Sequence, residues 1–279
     1  MKKYFSLANG NKIPNIGFGT WQVEPGEVTK QAVLTALMNG YNHIDTATAY
    51  QNEKSVGDAI VASGRNREEL YITTKLFNQV GTYQGTLEAI EESFELLQTD
   101  YIDLYLIHCP NPLKYREDWA KRNAESYRAM EEMYHKGKLK AIGVSNFLVH
   151  HLDALKKTWQ VVPHVNQIFI TPGTLKQDVI DYCQEHEIML EAYSTLGRGH
   201  IVNNPTMLEI GAKYNKTPAQ LTVRWCLQQG FVTLIKSITT ERILENLQVY
   251  DFEIDEVDMK TITNLPGAKP FSDPDKWNF

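Results

Sequence analysis

Asp45, Tyr50, Lys75 and His108 are residue types that together can move a proton to a polarised oxygen. A free tyrosine has a pKa near ~10 and is a poor acid at neutral pH. A lysine ammonium beside it favours the phenolate and lowers that pKa. An aspartate paired with the lysine keeps the amine charged and in place. The phenol can then give its proton to a carbonyl oxygen while hydride reaches the carbonyl carbon. A neutral imidazole can hydrogen-bond the same oxygen and fix its position. The set holds no serine or cysteine nucleophile paired with a base. Cys109 does follow His108, but neighbouring strand residues point to opposite faces. Each residue alone has a plainer reading. Lys75 and Asp45 could be a structural ion pair, Tyr50 a loop cap, His108 a satisfied core histidine. Their joint placement favours the chemical reading.

That placement depends on strands. Eight short apolar runs read as strands: Ile16–Thr20, Tyr41–Thr46, Leu70–Lys75, Tyr101–His108, Lys140–Ser145, His164–Ile168, Met189–Ser194 and Phe231–Lys236. Amphipathic runs alternate with them: Glu27–Asn39, Glu53–Ser63, Leu87–Leu97, Ala124–His135, Val149–Thr158, Leu175–Glu187, Thr206–Tyr214, Thr217–Gln229, Glu241–Gln248 and Asp255–Thr263. Pro218 after Thr217 marks a helix start. Phe5–Leu7 and Lys12–Ile16, joined through Asn9-Gly10, read as a hairpin with a tight primed turn. Asn111–Asn123 is polar and reads as a long loop. The alternation predicts a parallel sheet, either an open doubly wound one or a closed barrel. A barrel typically takes ~250 residues as one unit and draws its catalytic groups from the carboxyl ends of several strands. Asp45, Lys75 and His108 fall at three successive strand ends, with Tyr50 in the loop after Asp45. No Pro/Gly/Ser linker divides the chain, so 1–279 is expected to be a single domain.

Composition narrows the function classes. A net charge of −6 argues against a general nucleic-acid binder, which is usually basic. Cys109, Cys183 and Cys226 form no CxxC pair, so neither a disulfide frame nor a metal site is expected. Free thiols suit a reducing compartment. No run has the length of a signal peptide core or a membrane span, and the expected setting is the cytoplasm. Gly17-Phe18-Gly19 starts like a dinucleotide fingerprint but lacks the third glycine, with Gln22 in its place. It is expected to shape a barrel loop.

These stretches, with their neighbours, make the chain resemble the aldo-keto reductase family from end to end, and most closely its short bacterial members of the diketogluconate reductase type. The resembling stretches are Gly17-Phe18-Gly19-Thr20-Trp21, His43-Ile44-Asp45-Thr46-Ala47 with Tyr50, Thr74-Lys75, Asp103-Leu104-Tyr105-Leu106-Ile107-His108, Ile142-Gly143-Val144-Ser145-Asn146-Phe147, Glu191-Ala192-Tyr193-Ser194, and Lys236-Ser237 with Arg242, Glu245 and Asn246. The resemblance implies a (β/α)8 TIM barrel with an N-terminal β-hairpin over its base, extra C-terminal helices, and NADPH at its mouth. It implies a small-molecule carbonyl substrate, no nucleic-acid or membrane partner, and a monomer. Asp45, Tyr50, Lys75 and His108 become the catalytic four. Ser145, Asn146 and Gln167 would hold the nicotinamide carboxamide. Tyr193 would stack under the nicotinamide ring. Ser194 and Leu196 would line the pyrophosphate path. Lys236, Ser237 and Arg242 would hold the 2′-phosphate, with Glu245 and Asn246 near the adenine. Trp21, His108 and Cys109 would face the substrate. The physics of the cofactor corner agrees independently. Loops after the last barrel strands and helix starts favour phosphate, and arginine grips it with a fork.

The chain departs from its relatives in four places. Cys109 stands where tryptophan is common, which removes a large pocket wall. Phe169-Ile170-Thr171 replaces Glu-Tyr-His before Pro172. Thr195 and Ile235 replace prolines in cofactor loops. Two other classes remain open on residues alone. One is an NADPH-binding regulatory protein without turnover. The other is a Schiff-base aldolase using Lys75. Trp277 and Phe279 are candidates to fold over the pocket, with a frayed tail as the alternative.

Overall fold

The computed structural model describes residues 3–266 and 273–278. Strands β1 (Tyr4–Ser6) and β2 (Lys12–Pro14) form an antiparallel hairpin. Eight further strands follow: β3 (Ile16–Gly19), β4 (His43–Asp45), β5 (Tyr71–Leu76), β6 (Leu104–Ile107), β7 (Ile142–Ser145), β8 (Val165–Phe169), β9 (Met189–Tyr193) and β10 (Val232–Ile235). Each pairs in parallel with the next, and β10 returns to β3, so the barrel closes. The open-sheet alternative is thereby excluded. The helices are α1 (Glu27–Met38), α2 (Glu53–Ser63), α3 (Tyr83–Leu97), α4 (Trp119–His135), α5 (Val149–Lys156), α6 (Gln177–Glu185), α7 (Pro205–Tyr214), α8 (Pro218–Gln228), α9 (Thr240–Glu245) and α10 (Glu256–Thr263).

Strand alternation sorts the side chains. Ile44, Ile72, Tyr105, Ile107, Ile142, Val144, Ile168 and Leu190 pack in the core that includes the helices' buried side chains. Each such fully buried apolar side chain stabilises the fold by roughly 1.5–3 kcal/mol. Tyr71, Leu104, Leu106, Ala141, Val165 and Val232 form a separate cluster with Leu7 and Ile13 of the hairpin segment. The hairpin therefore closes the base of the barrel, and the other end is left for chemistry.

Gly17 and Gly19 lie in strand β3, not in a loop. A Cβ on Gly17 would stand 2.5 Å from Leu234 and 2.7 Å from His43. The glycine pair is thus a packing device of the barrel. The hairpin turn also differs from the expected two-residue turn. Gly10 N donates to Leu7 O and Leu7 N to Asn11 O, with Gly10 at φ 84° and Asn9 outside the left-handed region. That is a three-residue loop ending on a left-handed glycine.

Two helices begin earlier than their apolar periodicity implied. Thr82 caps α3 by accepting the Gly85 N–H at 3.1 Å, which starts the helix before Leu87. Trp119–Asn123, read as loop, is the first part of α4. Two of its polar residues turn inward. Arg122 donates to Val80 O and Cys109 O, each at 2.9 Å, and Asn123 donates to Pro110 O at 2.9 Å. Their polarity serves buried backbone carbonyls instead of solvent.

Candidate active site

Asp45 closes β4 and Lys75 lies near the end of β5, facing the same interior. Lys75 Nζ donates to both Asp45 carboxylate oxygens at 2.8 Å and to Thr46 O at 2.8 Å. It also reaches Tyr50 Oη at 3.3 Å and stands 4.9 Å from the Tyr50 ring centre. The Tyr50 and His108 rings meet edge to face with centroids 5.5 Å apart. The structure thus brings Asp45, Tyr50, Lys75 and His108 together.

The electrostatics assign their states. Burial is the largest influence on Lys75 and works against its ammonium, but Asp45, through its charge and its hydrogen bond, together with the neighbouring Tyr50 outweighs it and raises the lysine above its usual range. Burial raises the Asp45 carboxyl, opposed by Lys75; the double short contact identifies the pair as carboxylate and ammonium. Burial likewise raises Tyr50, and Lys75 only moderates that rise. The expected net lowering of Tyr50 is therefore corrected: desolvation outweighs the neighbouring cation, and the group is a protonated phenol at neutral pH. Burial, then the Lys75 and Arg122 charges, push His108 down to about 3, so its imidazole is neutral.

The loop carrying Tyr50 is held by a residue the sequence reading overlooked. Asn52 is fully buried. Its Oδ1 accepts the Thr46 hydroxyl at 2.7 Å, and its Nδ2 donates to Thr20 O at 3.0 Å and Val23 O at 3.3 Å. One amide thus ties the Tyr50 loop to the loop bearing Trp21. Nothing in an Asn beside a helix start distinguishes this role from capping.

Gln167 is tied into the barrel interior through its amide nitrogen: Nε2 donates to Asp45 Oδ2 at 2.9 Å and to Glu191 Oε2 at 2.7 Å. Ser145 Oγ donates to Gln167 O at 2.9 Å. Asn146 Nδ2 donates to His108 O at 3.0 Å, and its Oδ1 accepts the Tyr193 hydroxyl at 2.7 Å. Asn146 thereby links the ends of β6, β7 and β9. Asn146 and Ser194 both sit in the left-handed region, at φ 64° and 53°. Non-glycine residues held there cluster at functional sites, and sequence alone carries no sign of it.

The cofactor corner follows β9 and β10, which are neighbours in the barrel. Ser194 and Leu196 follow β9, half-buried; Lys236 and Ser237 follow β10 directly. Ser237 Oγ accepts the Thr239 N–H at 3.1 Å and shapes the turn into α9, where exposed Arg242 lies. Glu245 is half-buried at the end of α9 and Asn246 is buried behind it. Helix α9 has six residues, fewer than the expected Glu241–Gln248 span. Its dipole is correspondingly small, and attraction for an anion rests on Lys236 and Arg242. Neither is engaged in an ion pair among the described residues. Two exposed, uncommitted cations at the end of the last strand fit a phosphate group. Two of the departures from the family pattern meet here, since Thr171 Oγ1 donates to Thr195 O at 2.7 Å and joins the loops after β8 and β9.

On the substrate side, Trp21 is exposed, with the Arg198 guanidinium 5.2 Å from its ring centre. Cys109 is fully buried, and burial pushes its thiol up to about 11. It offers a substrate no exposed surface of its own. The tail docks nearby. Asp275 accepts from Asn111 at 3.0 Å and lies 2.9 Å from His151 Nε2, and Arg116 donates to Trp277 O. Since His151 Nδ1 accepts the Leu148 N–H at 3.1 Å, its Nε2 carries the proton toward Asp275. Trp277 is therefore part of a docked tail; Phe279 lies outside the described residues.

Comparison with known proteins agrees with this geometry. Residues 15–266 match the Aldo/keto reductase family. Glyoxal reductase of Bacillus subtilis (strain 168) is 44% identical over 265 residues, covering 95% of this chain and 93% of that protein. Methylglyoxal reductase DkgA of Escherichia coli (strain K12) is 39% identical over 274 residues, covering 97% and 96%. A solved structure of a Gox0644 point mutant in complex with NADPH superposes with a TM-score of 0.92 at 34% identity, covering the whole of both chains. A closed eight-stranded barrel, an Asp–Lys–Tyr–His cluster and end-to-end similarity place this chain in the aldo/keto reductase family.

Proposed function

We propose that the protein reduces small aldehydes and ketones with NADPH, that Tyr50 donates the proton, and that 2-oxoaldehydes of the glyoxal and methylglyoxal kind are its substrates. The observation that carries this reading is the Lys75 ammonium, held by Asp45 and in contact with the Tyr50 hydroxyl beside a neutral His108. NADPH, when bound, supplies the hydride. His108 orients the carbonyl oxygen toward Tyr50. The phenol gives its proton to that oxygen as negative charge develops there, and Lys75 stabilises the phenolate left behind. Asp45 keeps Lys75 charged and in register. Lys236, Ser237 and Arg242 would hold the 2′-phosphate, and Ser145, Asn146 and Tyr193 would seat the nicotinamide. The names of the two bacterial reductases support the substrate class. Three buried, unpaired thiols support a reducing, cytoplasmic setting, and we take the protein to act as a monomer.

The Schiff-base alternative is disfavoured by the same contact, because an amine held as ammonium by a carboxylate is a poor nucleophile. The test follows NADPH absorbance with glyoxal, methylglyoxal and a panel of larger carbonyls. Turnover of the small 2-oxoaldehydes is expected. No turnover with any carbonyl would leave an NADPH-binding protein without catalysis.

A further inference from the structure

Glu191, an ionisable side chain inside the barrel, has no part in the steps above. It sits on β9 with no solvent exposure. Its Oε2 accepts one Gln167 N–H at 2.7 Å, and the other Gln167 N–H goes to Asp45 Oδ2 at 2.9 Å. Its Oε1 has no hydrogen-bond partner among the described residues. His43 Nε2 stands 3.6 Å away, too far for a hydrogen bond, and that nitrogen is 2.9 Å from the Thr73 hydroxyl. His43 is itself neutral, since burial pushes it down to about 3. Glu191 is thus a fully buried carboxyl group with no cation of its own among the described residues, one amide away from the Asp45 carboxylate. Such a group keeps its proton. The ionisable groups that face it are His43 and Asp45 from β4, Tyr71 and Lys75 from β5, and Tyr50 above them. Burial, then the Asp45 charge, push Glu191 up to about 8.

We propose that Glu191 is a positioning residue for the reaction: as a neutral carboxylic acid it anchors Gln167, and through Gln167 it fixes Asp45 against Lys75, leaving a single ion pair beneath Tyr50. The proposal rests on the carbonyl-reductase reading. Ionised Glu191 adds a second anion to this interior and tightens the hold of Tyr50 on its proton. Carbonyl reduction therefore slows as Glu191 loses its proton. The anchor is chemically separable from the charge. Glu191→Gln keeps the shape and the oxygen that receives the Gln167 N–H, but it cannot ionise. Glu191→Ala removes the anchor.

The test combines infrared spectroscopy with pH-resolved kinetics on the full chain. In the wild type, a protonated carboxyl band is expected at neutral pH, to fade through the mildly alkaline range, and to be absent in Glu191→Gln. The wild-type kcat for reduction should fall over the same range, while Glu191→Gln keeps its neutral-pH kcat within ~3-fold and loses that step. Glu191→Ala should lose ~10-fold or more in kcat with little change in KM, the signature of a displaced reacting group. An active wild type without the carboxyl band overturns the proposal alone. So does a Glu191→Gln variant that retains the alkaline step, or one that is as impaired as Glu191→Ala. A wild type that turns over no carbonyl overturns the functional reading and the proposal with it. If Glu191→Ala does not fold, the wild-type band and the Glu191→Gln profile decide the matter.

Discussion

Lys75 Nζ lies 2.8 Å from each carboxylate oxygen of Asp45, and neither side chain has more than marginal contact with solvent. A buried pair of this kind is held by mutual need. Removing one partner strands an uncompensated charge, which typically costs ~3–5 kcal/mol. Lys75→Met and Asp45→Asn should each destabilise the fold by about that amount in urea denaturation. The double variant should be less destabilised than the sum of the two. Simple additivity in that cycle would show that the two groups do not interact as a pair.

Tyr50→Phe keeps the ring that packs against His108 and removes the proton. The expected kcat loss is ~10²–10⁴-fold, the usual worth of a general acid. NADPH affinity, read from fluorescence titration, should stay unchanged. A variant with wild-type kcat would remove Tyr50 from the mechanism.

His108 is held at about 3, mainly by burial, so it stays neutral throughout the ordinary working range. Carbonyl reduction should therefore show no imidazole inflection between about pH 6 and 7, where a free histidine titrates. The stability consequence has a definite sign. Below about pH 6.5 the unfolded chain protonates this imidazole, while the folded one does so only near its own depressed value. Its contribution is fully present above the unfolded value and is lost as the pH falls toward 3. His108→Gln should lose less stability than the wild type between these two values, measured by thermal unfolding across pH.

Lys236 and Arg242 are exposed cations between the end of β10 and the end of α9. Arg242→Ala should raise the KM for NADPH ~10-fold or more, since charge-assisted hydrogen bonds are worth about 1.5–3 kcal/mol. The KM for NADH, which lacks the 2′-phosphate, should barely move. Equal effects on both cofactors would put the arginine elsewhere on the nucleotide.

Cys109, Cys183 and Cys226 are all buried, and burial pushes their thiols up to about 11, 12 and 12. A thiol that is both inaccessible and protonated is unreactive. The native protein should show no fast-reacting thiol with a disulfide reagent, and three after unfolding. One fast thiol in the native state would mean that the packing around one of these three side chains opens.

Residue type and order alone were enough for the alternation of strands and helices, and for placing Asp45, Lys75 and His108 at successive strand ends. Apolar periodicity is a local property, and it survives translation into elements with small errors at their ends. One such error came where polar residues are helical for tertiary reasons. Arg122 and Asn123 look like loop and are buried, because their partners are backbone carbonyls of the loops after β5 and β6. Closure of the sheet was also undecidable locally, since the pairing of β10 with β3 joins the two ends of the barrel.

The protonation states needed the assembled interior. A neighbouring lysine suggests an acidified tyrosine, but whether desolvation outweighs that charge depends on how completely eight strands exclude water. The same holds for the turning of Gln167 toward Glu191 and Asp45, three residues on three strands. The sequence could single out the candidate reacting groups because their types are chemically distinctive. Only the closed barrel decided their charges and their supporting contacts, because both are set by groups remote in sequence and by the absence of solvent between them.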